Sequence, residues 1–186
     1  MIRFKNVYKS FDKDVIKDLN FQIKKGEKIA LVGSSGIGKT TIVNLILGLE
    51  IPDRGEIDNS FKKISVVFQE NRLIDELSPL DNLKIISEED EEKLIDILKE
   101  LGIDDFNKKV SSLSGGMKRR VSIARGIFFG GDLLILDEPI QGLDEENRKL
   151  VIKKILKNYE DKSILLITHN INDIKDFMID RVINIR

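Results

Sequence analysis

The sequence predicts an α/β fold built on a parallel sheet, and three observations carry that prediction. Leu133-Leu134-Ile135-Leu136 and Ile164-Leu165-Leu166-Ile167 are uninterrupted apolar runs of strand length, as expected of parallel strands covered on both faces. Each precedes a helical segment, one from Asp144 through Tyr159 and one through Ile174 and Met178, so strands and helices alternate. A third run, Lys28 to Val32, enters Gly33-Ser34-Ser35-Gly36-Ile37-Gly38-Lys39-Thr40, and Thr41 to Leu47 leaves it as a helix. That stretch matches the phosphate-binding pattern G-x-x-x-x-G-K-[ST] in the strand, loop, helix context the pattern requires.

The remaining elements follow in order. Ile2 and Phe4, then Leu19, Phe21 and Ile23, alternate with polar neighbours, the period of half-exposed antiparallel strands. Lys24 to Glu27 turns the chain into the central strand. Ile51-Pro52-Asp53-Arg54-Gly55 reads as a β-turn, with proline presetting φ and glycine accepting the left-handed position. Ile64 to Phe68 supplies another strand. Ser78-Pro79 starts a short helix through Leu83 and Ile86, serine as cap and proline in the first turn. The acids from Glu88 to Glu92 cap and solvate an amphipathic helix with Leu94, Ile97, Leu98 and Leu101 on one face, stopped by Gly102. Val182 to Ile185 forms a last strand.

At 186 residues the chain buries a core of one domain, with room for an inserted subdomain. Charged residues make up 34% of it but nearly cancel, to a net charge of −1, so bulk charge gives no reason to expect nucleic acid as a partner. There is no cysteine, which excludes disulfides and thiolate metal sites and suits a reducing cytosol. No signal peptide opens the chain and no apolar run reaches the ~20 residues of a membrane span. Any membrane connection is therefore expected through another polypeptide.

The loop's residue types have chemical reasons. Its glycines let backbone N–H groups converge on an anion, and the helix that follows presents its unpaired N–H groups and positive dipole end to the same place. Lys39 adds a mobile charge for the β- and γ-phosphates of a nucleoside triphosphate. The Thr40 hydroxyl is a hard oxygen ligand for Mg²⁺.

Leu113-Ser114-Gly115-Gly116 resembles the signature motif of the ABC (ATP-binding cassette) ATPases, which join it to a phosphate-binding loop in this order. Leu133 to Glu138 resembles their Walker B strand, Gly142-Leu143-Asp144 their D-loop, Gln69 the Q-loop glutamine and His169, the chain's one histidine, the switch histidine. The resemblance covers nearly the whole chain. It implies a P-loop NTPase (RecA-like) parallel-sheet core with a small antiparallel β subdomain, over approximately 1–70 and 130–186, and an inserted α-helical subdomain over 71–129 that carries the signature.

The resemblance further implies roles, residue by residue. Lys39, Gln69, Glu138 and His169 form the catalytic set: Glu138 orients or deprotonates the attacking water, His169 meets the γ-phosphate, and Gln69 senses metal and water. Thr40, Gln69 and Asp137 hold Mg²⁺, Asp137 through water. Gly33, Ser34, Ser35, Gly36, Ile37, Gly38, Lys39, Thr40 and Thr41 bind ATP. Phe11 stands where the family offers a ring to adenine, with Tyr8 as the competing aromatic. Ser114, Gly115, Gly116 and Asp144 act in trans, two cassettes meeting head to tail so that the signature of one covers ATP on the loop of the other. Lys118-Arg119-Arg120 lie on the signature helix, one or two near phosphate and the rest solvated.

The function so implied is an ATP-hydrolysing subunit that drives transport through separate transmembrane permease subunits, peripheral on the cytoplasmic face of the membrane, paired with itself or a related cassette. Glu70-Asn71-Arg72-Leu73 resembles the wording of bacterial importers. Met117 and Ile140-Gln141 depart from the family's usual residues, and the chain's end at Arg186 implies no regulatory extension. A non-transport member of the class, acting on DNA, ribosomes or a cell-envelope complex, is the alternative. A regulatory module without turnover is disfavoured by Glu138.

Overall fold

The computed structural model describes residues 1–34, 36–87 and 89–185. The chain runs β1 (Ile2–Ser10), β2 (Asp14–Ile23), β3 (Lys28–Val32), α1 (Lys39–Leu47), β4 (Arg54–Asn59), β5 (Ile64–Val67), α2 (Pro79–Lys84), α3 (Glu91–Glu100), α4 (Gly115–Phe129), β6 (Leu133–Asp137), α5 (Glu145–Asn158), β7 (Ser163–Ile167), α6 (Ile171–Asp176) and β8 (Arg181–Asn184). A single 3-10 turn, Val110–Ser112, precedes α4.

Among the described residues, five strands form a parallel sheet in the order β5-β6-β7-β3-β8. Its central strands are buried along their length, and the pleat sends alternate residues to opposite layers. Leu134, Leu136, Ile164 and Leu166 pack with the residues of α2 to α5, whereas Leu133, Ile135, Leu165 and Ile167 pack with α1 and the antiparallel sheet. The apolar runs are continuous because both faces are covered.

The antiparallel sheet has the order β2-β1-β4, with Ile2 opposite Ile23 and Phe4 opposite Phe21. The two phenylalanine rings stack with centroids 4.5 Å apart. Here the turn expected at Ile51 to Gly55 is corrected: Arg54 and Gly55 already belong to β4. Gly55 has φ +85° because the β1–β4 register slips between Lys5 and Tyr8, and a Cβ there would fall on the Asn6 carbonyl.

Between β5 and β6 the described chain is helical apart from its connections. Ser78 caps α2, accepting a hydrogen bond from the Asp81 N–H at 3.0 Å, with Pro79 in the first turn. Asp90 occupies the cap position of α3 but makes no side-chain cap bond, so the acids act there through the helix dipole rather than as hydrogen-bonding caps. Gly102, at φ +68°, closes α3, and the Ile103 N–H returns to the Leu98 carbonyl at 2.9 Å.

Candidate active site

Parallel pairing gathers the site. Val67 pairs with Leu136, Asp137 with Ile167 and Leu31 with Ile167, so the carboxyl ends of β5, β6, β7 and β3 share one edge. The residues that leave those ends are Gln69, Asp137 with Glu138, Thr168 with His169, and the loop at Gly33. This is where open α/β sheets place their ligands. A cavity of about 690 Å³ opens there. Phe11, Gly33, Ser34, Gly36, Gly38, Lys39, Thr40, Thr41, Gln69, Asp137, Glu138 and His169 line it, as do Val15 and Gln141.

The loop's backbone explains its glycines. Gly38, the residue before α1, has φ +101°, and a Cβ on it would stand 2.7 Å from the Val15 side chain. A Cβ on Gly33 would meet Ile37 Cγ2 at 2.9 Å, so Ile37 backs the loop from outside the cavity lining. Lys39 Nζ folds over the loop, donating to the carbonyls of Gly33 at 2.7 Å and Ser34 at 2.9 Å. Its charge thus sits over the Gly33 and Ser34 carbonyls at the cavity wall, at the start of α1, where a polyphosphate would meet it. Ser35, assigned to the loop from the sequence, lies outside the described residues.

The carboxylates differ in surroundings. Asp137, at the end of β6, has its carboxyl pushed above the usual range by burial and then by neighbouring Glu138, with Arg119 and Lys39 opposing. Glu138 takes the left-handed conformation, φ +45°, unusual for a side chain of its size. It is held there by its N–H on the Ile167 carbonyl at 3.0 Å. Its Oε1 lies 2.7 Å from His169 Nδ1, and Thr168 Oγ1 lies 3.3 Å from its Oε2. The Thr168 hydroxyl also reaches Asp173 Oδ2 at 2.8 Å, and buried Asp173 is paired with Arg148 at 3.1 Å. This backing of the glutamate was not legible from the residues, since Asp173 and Arg148 carry no motif of their own.

Phe11 is 56% exposed at the tip between β1 and β2, with the Lys9 ammonium 5.2 Å from its ring centre. Tyr8 is not among the residues that line the cavity. Gln69 Nε2 donates to Gln141 Oε1 at 3.4 Å, which brings Gln141, singled out from the sequence only as a departure, to the cavity wall.

Ser114, Gly115, Gly116 and Asp144 do not line the cavity of their own chain. Ser114 caps α4, accepting from the Met117 N–H at 3.3 Å, and Asp144 caps α5, accepting from the Asn147 N–H at 2.8 Å. That bond, and a second that Asn147 Nδ2 donates to Asp144 Oδ2 at 2.7 Å, hold the Asp144 carboxyl below its usual range. A Cβ on Gly115 would meet nothing within 4 Å, and one on Gly116 only Leu143 at 3.6 Å. Packing within the chain therefore does not account for these glycines.

The solvated reading of Lys118-Arg119-Arg120 is corrected. Arg119 is 4% exposed and donates to backbone carbonyls of the β5 and β6 loops. Arg120 Nη1 donates to the carbonyls of Leu101 at 2.9 Å and Gly102 at 3.0 Å, and Lys118 pairs with Asp75 at 3.0 Å. All three tie α4 to its neighbours, and none lines the cavity.

Fold and site together define a nucleotide-hydrolysing α/β protein of the phosphate-loop class. The ABC transporter family profile matches residues 16–141. The thiamine import ATP-binding protein ThiQ of Haemophilus influenzae (strain 86-028NP) is 34% identical over 189 residues, covering 91% of this chain and 87% of that protein. The dimeric structure of the bacterial ABC transporter cassette MJ0796 superposes with TM-score 0.86 at 28% identity, over 100% of this chain and 94% of that one. The dimeric post-hydrolysis state of the same cassette, bound to ADP and Pi, superposes with TM-score 0.84. The chain belongs to the ABC transporter family. It is an ATP-binding and ATP-hydrolysing cassette whose hydrolysis energises transport. Among the described residues no helix is long and apolar enough to cross a membrane.

Proposed function

We propose that this cassette powers an importer, working as a head-to-tail pair with itself or a related cassette, beneath transmembrane permease subunits on the inner face of the cell membrane. One observation carries the reading. The loop, carboxylates and histidine line one cavity, while Ser114, Gly115 and Asp144 stand exposed outside its lining, with open space over Gly115. A second copy that laid Ser114, Gly115 and Gly116 over ATP on the loop would complete the site. Import is supported by the thiamine import relative and by the wording of Glu70 to Leu73.

Lys39 and the N–H groups of Gly36, Gly38, Thr40 and Thr41 hold the phosphates, and Phe11 offers its ring to adenine. Thr40, Gln69 and Asp137 present a hydroxyl, an amide and one carboxylate to the same cavity, and among the described residues no group of three His, Cys, Asp or Glu gathers to hold a metal by itself. That hard-oxygen set fits Mg²⁺ shared with the nucleotide, where the ion neutralises phosphate charge. Glu138 takes a proton from the attacking water, and His169 is oriented by it toward the γ-phosphate. Residues 71–129 form the helical subdomain that carries the signature to the second copy.

The test of the catalytic assignment is Glu138→Gln. Turnover is expected to fall roughly 10²-fold or more with ATP binding retained; undiminished hydrolysis contradicts the assignment. For the biological role, purification from membranes should bring down a multi-span protein, and recovery of ribosomes or DNA in its place contradicts the transport role.

A further inference from the structure

Arg119 sits in the second turn of α4, whose first residues are Gly115 and Gly116. Its guanidinium makes no ion pair with a carboxylate among the described residues. Its Nε donates to the Pro139 carbonyl at 2.7 Å, Nη1 to those of Phe68 at 2.5 Å and Gln69 at 3.2 Å, and Nη2 to those of Asp137 at 2.8 Å and Glu138 at 2.7 Å. Burial lowers its pKa to about 10, with Asp137 and Glu138 opposing, so the group stays charged at neutral pH. A buried cation is costly unless its donors are satisfied. Here the planar fork is used on two separate loops, which a lysine ammonium cannot span in the same way.

We propose that Arg119 is a positioning residue for hydrolysis: it clamps the backbones that carry Gln69 and Glu138 to the signature helix, and so holds Glu138 in its left-handed conformation. The inference rests on the catalytic reading of Glu138 given above. Displacement of α4 pulls the Gln69 and Glu138 carbonyls together, so the helix that reaches a second copy also sets the geometry of its own glutamate. Lys39 and the phosphate loop lie outside the clamp.

The experiment is a double-variant cycle in single-turnover hydrolysis, with ATP affinity measured alongside. Arg119→Gln is expected to leave ATP affinity within about threefold while slowing hydrolysis up to about 10²-fold, the scale of a misplaced catalytic group. In a Glu138→Gln background the same substitution is expected to change the residual rate by less than about twofold, since the residue it acts through is already gone. An equal loss in both backgrounds, or no loss in the first, overturns the inference. Undiminished hydrolysis by Glu138→Gln alone overturns the reading of Glu138 instead. Where Arg119→Gln does not fold, Arg119→Lys, which keeps the charge but not the fork, carries the same comparison.

Discussion

His169 Nδ1 and Glu138 Oε1 lie 2.7 Å apart, joining the residue after β6 to the residue that follows Thr168 at the end of β7. With the carboxylate ionised, Nδ1 bears the proton and Nε2 is left as the second ring nitrogen. The histidine is 70% exposed while the glutamate is 12% exposed, so the imidazole is fixed from below and open above. His169→Ala is therefore expected to slow hydrolysis by about 10²-fold with ATP affinity little changed, measured by phosphate release and nucleotide titration.

Lys39 spends its ammonium on the Gly33 and Ser34 carbonyls, within reach of whatever occupies the loop. Charged hydrogen bonds to phosphate are worth about 1.5–3 kcal/mol, so Lys39→Ala is expected to weaken ATP binding roughly ten- to a hundredfold. Isothermal titration checks it. Thermal stability should change little, because the Gly33 and Ser34 residues whose carbonyls lose the ammonium line an open cavity where water can replace it.

Gly115 separates stability from function. It lies in the first turn of α4 with nothing near its Cβ position, so Gly115→Ala is expected to leave the fold intact or stabilise it by up to about 1 kcal/mol. If the space over it receives a second copy's nucleotide, hydrolysis should nevertheless fall. Denaturant unfolding and steady-state turnover on the same sample measure the two effects.

Leu166 is fully buried in β7, in the layer shared with α2 to α5. Truncation there opens a cavity in the sheet whose edge carries Gln69, Glu138 and His169. Leu166→Ala is expected to cost about 2–5 kcal/mol, read from urea unfolding.

What the sequence made legible was local. The loop from Gly33 to Thr40 and the runs at 133–136 and 164–167 carry their own patterns, and Glu138 and His169 follow those runs directly. β4 was not legible because Arg54-Gly55-Glu56-Ile57-Asp58-Asn59 is an edge strand with only Ile57 partly buried, so its pattern has no apolar alternation. Arg119 was misread for a different reason. Basic residues on a helix are ordinarily solvated, and the acceptors that bury this one are main-chain carbonyls about fifty and twenty residues away, which no side-chain pattern encodes. Asp173 and Arg148 were invisible on the same ground, their link to Glu138 running through Thr168.

The central claim is that each ATP is held by the loop of one cassette and the signature of another. Mixing two inactive variants tests it most directly: Lys39→Ala, which spoils the loop, and Ser114→Arg, which spoils the signature. A mixed pair retains one site with an intact loop and an intact signature, so hydrolysis by the mixture should rise well above that of either variant alone. Hydrolysis equal to the average of the two separate samples would contradict the shared site.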